Sequence, residues 1–180
     1  MLEFDEEIFL KTYKSAPDKA FKMLLEKYQE RLYWHIRKIV ISHENADDVL
    51  QNTFIKIWKG LENFNRQSNL YTWMYRIATN EALTHLKQQR KHSLNHVSED
   101  VSYLVAGLEA DPYFNGNEIE LKLQKALAKL PDKQRLVFNM KYFDNMKYDE
   151  ISEILNTSVG GLKASYHIAV KKIKEYLSEN

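Results

Sequence analysis

Residues 148–172 read YDEISEILNTSVGGLKASYHIAVKK, and their spacing predicts two short helices joined by a tight turn. Ile151, Ile154 and Leu155 fall on one side of the first helix, while Ser152 is small enough to let a second helix approach. Asn156 tolerates the left-handed conformation that the turn needs, and Thr157 or Ser158 can cap the second helix. In that helix Val159, Leu162, Tyr166, Val170 and Ile173 make the buried stripe. Lys163, Ala164, His167 and Lys171 are left on the opposite face, where a helix-turn-helix would present them to a major groove. A plain helical hairpin with a solvated face fits the same pattern.

Upstream of this stretch the helical period appears at Ile119, Leu123, Leu127 and Leu130, and stops at Pro131. It returns at Leu136, Val137 and Met140 before breaking around residues 143–145. Residues 117–180 are therefore read as one small helical domain. Residues 92–116 lose the period, gather Ser, Asn, Gly and Asp, and contain the helix-ending Asp111-Pro112 pair, the marks of a linker. Residues 1–91 predict a second helical unit with three helices. Phe21, Leu25, Tyr28, Leu32, Ile36 and Ile39 stripe the first, from Ala20 to Ile41. Leu50, Phe54, Ile57 and Leu61 stripe the next, with cap candidates at residues 45–48. Met74, Ile77, Ala78, Ala82 and Leu86 stripe the third, from about Leu70 to Arg90. With no alternating run long enough for a sheet, the expected fold is all-α: two small helical domains joined by a flexible acidic linker.

Charge is distributed unevenly behind a formal net of +1. Residues 93–120 carry six acids (Glu99, Asp100, Glu109, Asp111, Glu118, Glu120) and no Lys or Arg, whereas residues 121–147 carry seven bases against two acids, a net of +5. Such a patchwork suits a protein that touches both nucleic acid and a charged protein partner, although an ordinary solvated surface gives it too. The chain contains no cysteine, which excludes disulfides, thiolate metal sites and a Cys nucleophile. An acidic N-terminus and the lack of any long apolar run predict a soluble protein of the cytoplasm, without membrane insertion. Phosphate loops, HExxH pairs and serine elbows are missing, so neither an enzyme nor a small-molecule substrate is expected. His92 and His96 sit near Glu99 and Asp100 in a segment too loose to hold a metal, and no cofactor is predicted.

Two further stretches have the chemistry of recognition. Residues 63–76 interleave amides, cations and aromatics: Asn65, Arg66, Gln67, Ser68 and Asn69, then Tyr71, Thr72, Trp73 and Arg76. Aromatic faces stack on unpaired bases, amides read base edges and cations hold phosphates, the combination a single-stranded site needs; packing is the competing role for Trp73 and Tyr75. On the preceding helix Asp48, Gln51, Ile55 and Trp58 share a face outside the core stripe, which suits docking to a partner helix or a second buried face.

In order along the chain, residues 46–58 (ADDVLQNTFIKIW), residues 71–80 (YTWMYRIATN) and the stretch after Leu130-Pro131 resemble the polymerase-binding helix, the promoter-melting helix and the minus-thirty-five domain of extracytoplasmic-function sigma factors. The resemblance implies that Asp48, Gln51 and Asn52, with Ile55 and Trp58, meet the clamp coiled coil of core RNA polymerase. It implies that the loop from Asn65 to Thr72 captures a flipped base of the minus-ten strand, with Trp73, Arg76 and Asn80 of the melting helix beside it, that the acidic linker runs into the RNA exit path, and that the C-terminal domain sits on the polymerase flap. For the minus-thirty-five duplex it implies contacts from Ser158, Gly160, Lys163, Ser165, His167 and Lys171. An anti-sigma factor is the family's expected regulator. Asn52 stands where many relatives carry Glu, and Gly161, Ser165 and Ile168 stand where they carry Thr and Arg, so this groove-facing surface is less cationic. A duplex-binding regulator that never joins polymerase and a metal-dependent hydrolase are the alternative functions.

Overall fold

A computed structural model describes residues 4–93 and 118–179, and among the described residues every regular element is helical. The first unit contains α1 (Glu6–Ser15), α2 (Pro17–Val40), α3 (His43–Leu61) and α4 (Leu70–Ser93). Helix α1 is absent from the sequence expectation. Asp5 starts it by accepting from the backbone N–H groups of Glu7 (2.8 Å) and Ile8 (3.0 Å), and it buries only Phe9, too little to make a periodic signal. Helix α2 begins three residues before the predicted start because Pro17 occupies its first turn.

Helix α3 also starts early. Ser42, not residues 45–48, is its cap, the hydroxyl accepting from Asn45 N–H at 3.4 Å. Just before it Ile41 has φ 67° and ψ −37°, and Ser42 N–H donates to Val40 O at 2.9 Å. That is a γ-turn of the rarer hand, and it reverses the chain between α2 and α3 within one residue. Leu24, Leu32 and Ile36 of α2, Val49 and Ile57 of α3, and Met74, Ala78, Ala82 and Leu86 of α4 form the core between the three long helices. Phe21 and Leu25, predicted to be inward, lie at its edge and stay partly exposed.

The C-terminal unit contains α5 (Glu118–Ala128), α6 (Asp132–Phe138), a π-helical turn (Asn139–Phe143), α7 (Tyr148–Leu155) and α8 (Val159–Glu179). In the π-turn Asp144 N–H reaches back to Asn139 O (3.1 Å), and Asn145 turns the chain at φ 51°. Ala126, Leu127, Leu130, Phe138, Ala169 and Ile173 form a small core of this unit's own. Ala169 is completely buried although the predicted stripe omits it.

The larger core runs through both units. Leu136, Val137, Met140, Met146, Ile151, Ile154 and Leu162 join the buried residues of α1–α4, and α7 lies against α4. Helix α4 continues to Ser93, into the first two positions of the predicted linker; the remainder of that linker, with Glu99, Asp100, Glu109, Asp111 and His96, lies outside the described residues. Among the described residues no helix is long and apolar enough to cross a membrane.

Candidate nucleic-acid interface

The helix-turn-helix forms as its spacing predicts. Asn156 takes the left-handed conformation, φ 47° and ψ 51°, at the end of α7. Ser158 Oγ then accepts from Gly161 N–H at 3.3 Å to cap α8. Lys163, Ala164, His167 and Lys171 are exposed on one face of α8, with Ser158 and Gly160 exposed at its start. Ser165 is only partly exposed, so it borders that face instead of standing at its centre. Lys163 Nζ rests 5.8 Å from the centroid of Tyr148, a cation–π contact that aims the cation along the first helix.

The loop before α4 is held by its own amides. Asn65 Oδ1 accepts from Gln67 N–H (3.3 Å) and Asn69 Oδ1 from Thr72 N–H (2.7 Å), which caps α4; Arg66 between them has φ 59°. Asn65, Arg66, Gln67, Asn69 and Asn80 are exposed, and Ser68, Tyr71, Trp73 and Arg76 are partly so. Thr72 departs from the expectation: its side chain is completely buried, with Oγ1 unpaired. Arg76 Nε, one turn further, is also buried and unpaired. Trp73 packs on Phe64, ring centroids 5.1 Å apart, and against Gly60, where an added Cβ would stand 2.9 Å from the indole. Tyr75 is buried, so packing holds for it. Burial lifts the Tyr71 hydroxyl to about 12, and the ring lies 4.3 Å from that of Tyr75. The Tyr71 side chain is therefore neutral at ordinary pH.

On α3, Asp48, Gln51, Asn52, Ile55 and Trp58 are all exposed, Ile55 and Trp58 unusually so for their size at 51% and 37%. Phe21, Leu25 and Phe54 continue the apolar surface from Ile55 and Trp58 into a groove of about 440 Å³ edged by Asp18 and Lys22. Phe21 meets Trp58 edge to face at 5.0 Å, which fixes the indole as one wall.

Sequence spacing missed four contributors. Phe21 and Leu25 resemble core residues by period and differ only in lying at the stripe's edge. Arg31 holds its guanidinium 5.5 Å over the Tyr71 ring. Glu6 Oε2 accepts from Leu70 N–H at 3.0 Å, steadying the first turn of α4 from 64 residues away. No local pattern announces contacts of that separation.

With these surfaces in view, the comparisons with known proteins are specific. Residues 24–92 match sigma-70 region 2, and residues 120–173 match sigma-70 region 4. The chain is 27% identical over 180 residues to the ECF RNA polymerase sigma factor SigW of Bacillus subtilis, covering 94% of this chain and 95% of that protein. It is 29% identical over 167 residues to the RNA polymerase sigma-H factor of Pseudomonas aeruginosa, covering 88% and 86%. A solved structure of the sigma factor RpoE in complex with the anti-sigma factor NepR, from Bartonella quintana, superposes with a TM-score of 0.72 at 23% identity, over 89% of this chain and 98% of that one.

Proposed function

Because the chain belongs to the extracytoplasmic-function RNA polymerase sigma factors, we propose a residue-level division of labour for its work as a promoter-recognition subunit. Residues 1–91 dock on core polymerase and hold the melted strand, residues 117–180 read the minus-thirty-five duplex and sit on the flap, and residues 92–116 connect them. The exposed α3 face of Asp48, Gln51, Asn52, Ile55 and Trp58, continued into the apolar groove, carries this reading. A monomeric duplex binder has no use for an exposed Trp and Ile flanked by polar groups, whereas a partner coiled coil does. Polymerase performs the chemistry, in the cytoplasm, and this chain supplies no catalytic group.

The minus-ten reader comprises Asn65, Arg66, Gln67, Ser68, Asn69, Tyr71, Trp73, Arg76 and Asn80. Thr72 contributes through its position in the first turn, its side chain being buried. The minus-thirty-five reader comprises Ser158, Gly160, Lys163, His167 and Lys171, with Ser165 at its margin. An anti-sigma factor belongs to the same reading, supported by the solved relative, a sigma factor in complex with one.

The test is holoenzyme assembly. Asp48→Ala with Gln51→Ala should weaken binding to core polymerase by about tenfold or more while leaving helicity intact, the scale expected for removing two central contacts. Unchanged affinity would reject the docking face. Run-off transcription with core polymerase on a promoter library then distinguishes a sigma factor from a regulator that binds duplex DNA alone.

A further inference from the structure

The seam between the two units contains a buried polar cluster that neither DNA reading nor the docking face uses. Asp144, at the end of the π-turn, lies between two residues of α2: Oδ2 is 2.8 Å from His35 Nδ1, and Oδ1 is paired with Lys38 Nζ. His35 is buried, and its Nε2 lies 2.9 Å from Thr79 Oγ1 on α4. The Thr79 hydroxyl donates its own hydrogen to Tyr75 O at 2.7 Å, so Oγ1 faces the imidazole as an acceptor. Asn139 of the π-turn adds a bond from Nδ2 to Lys38 O at 3.2 Å, and Lys38 lies 5.3 Å over the Phe143 ring.

Burial by itself would push the Asp144 carboxyl up, but the hydrogen bond and charge of His35, then those of Lys38, outweigh it and hold the group below the ordinary carboxylate range. The groups facing this cluster are Lys38 and His35 from α2, Tyr75 and Thr79 from α4, and Asn139 from the π-turn. The charges of Asp144 and Glu150, both from the C-terminal unit, act on the Tyr71 hydroxyl.

We propose that Asp144, gripped by His35 and Lys38, is an interdomain latch that holds the helix-turn-helix unit over α4 and keeps the free chain closed to the melted strand. Two observations make it a latch and not a permanent joint. Closing sets α7 against the helix that would receive the melted strand, with the carboxylates of Asp144 and Glu150 near the Tyr71 that is proposed to stack on a base. The seam is also imperfect: Asn139 Oδ1 is buried there without a partner, a standing cost that opening relieves. The blocking role rests on the sigma reading; the latch itself does not.

The cysteine-free sequence permits a clean test on the full chain. Lys14→Cys and Lys174→Cys, both at exposed positions, one in each unit, take a pair of spin labels. The otherwise wild-type chain should give one narrow distance distribution, and Asp144→Asn or Lys38→Met should add a longer, broader component while far-ultraviolet dichroism stays unchanged. Capture of a single-stranded minus-ten oligonucleotide by the free chain should then speed up by about tenfold, following the open fraction. Distributions identical in wild type and both variants overturn the latch, as does a wild type that is already broad. A longer distance without faster capture overturns the blocking role. The distances are measured without the oligonucleotide, so they decide the latch by themselves, and failure of every form to capture it counts against the sigma reading alone.

Discussion

Gly160 and Gly161 begin α8 side by side, yet a methyl group would meet different surroundings at each. At Gly160 an added Cβ has nothing within 4 Å, whereas at Gly161 it would stand 3.3 Å from Ser158 Oγ, the capping atom. Gly160→Ala should therefore raise the thermal midpoint by an amount equivalent to about 0.5–1 kcal/mol, the helix penalty of glycine, and Gly161→Ala should gain less because it crowds the cap. If the exposed Gly160 lets backbone approach backbone at the minus-thirty-five duplex, the same Gly160→Ala variant binds that duplex more weakly despite being more stable, a sign reversal read by melting and duplex titration together. The two glycines are legible in sequence; which of them has room is not. Asp144 gives the other prediction at this scale. Its carboxyl is held below the ordinary range in the closed form, so the stability it lends is present above the usual carboxylate value and is lost as pH falls through the depressed one. The label-to-label distance should lengthen in acid for the wild type, and Asp144→Asn should remove that step.

Helical stripes carried most of the element-level reading, because burial of one face repeats every three or four residues. Leu50, Phe54, Ile57 and Leu61 are all buried as expected, as are Met74, Ala78, Ala82 and Leu86. Element ends were less legible because caps are single residues: Ser42 competes with Asn45, Asp47 and Asp48, and only the path of the chain out of α2 decides between them. That path depends on Ile41, a β-branched residue at positive φ, where L-residues pay roughly 1–2 kcal/mol. Ile41→Gly should stabilise the first unit by about 1 kcal/mol after the extra freedom of the unfolded chain is subtracted, measured as a shift in denaturation midpoint. A destabilised variant would mean that the partly buried Ile41 side chain outweighs its backbone strain. Recognition faces behaved like stripes. The exposed set on α3 is simply the complement of its core, while Thr72 was misplaced because a side chain in a mixed polar and aromatic run gives no periodic sign of which way it turns.

At the scale of the whole molecule, the two helical units were legible and their docking was not. His35 and Asp144 are 109 residues apart, and each reads by itself as an ordinary surface residue. Because the larger core includes residues of both units, the wild type should unfold in a single calorimetric transition, and Asp144→Asn should separate it into two. Two transitions in the wild type would show that the shared core does not couple the units. The π-turn has a hereditary consequence. It fits one residue more into its turn than an α-helix would, and that surplus carries Asp144 to α2. Each residue of an α-helix turns the chain by about 100°, so loss of one codon within residues 139–143 would restore regular helix and swing everything after it by more than a quarter turn. The helix-turn-helix would keep its own interior and lose its seat, so a single deletion there should leave the proposed latch without its carboxylate while sparing every residue of the DNA-facing helix.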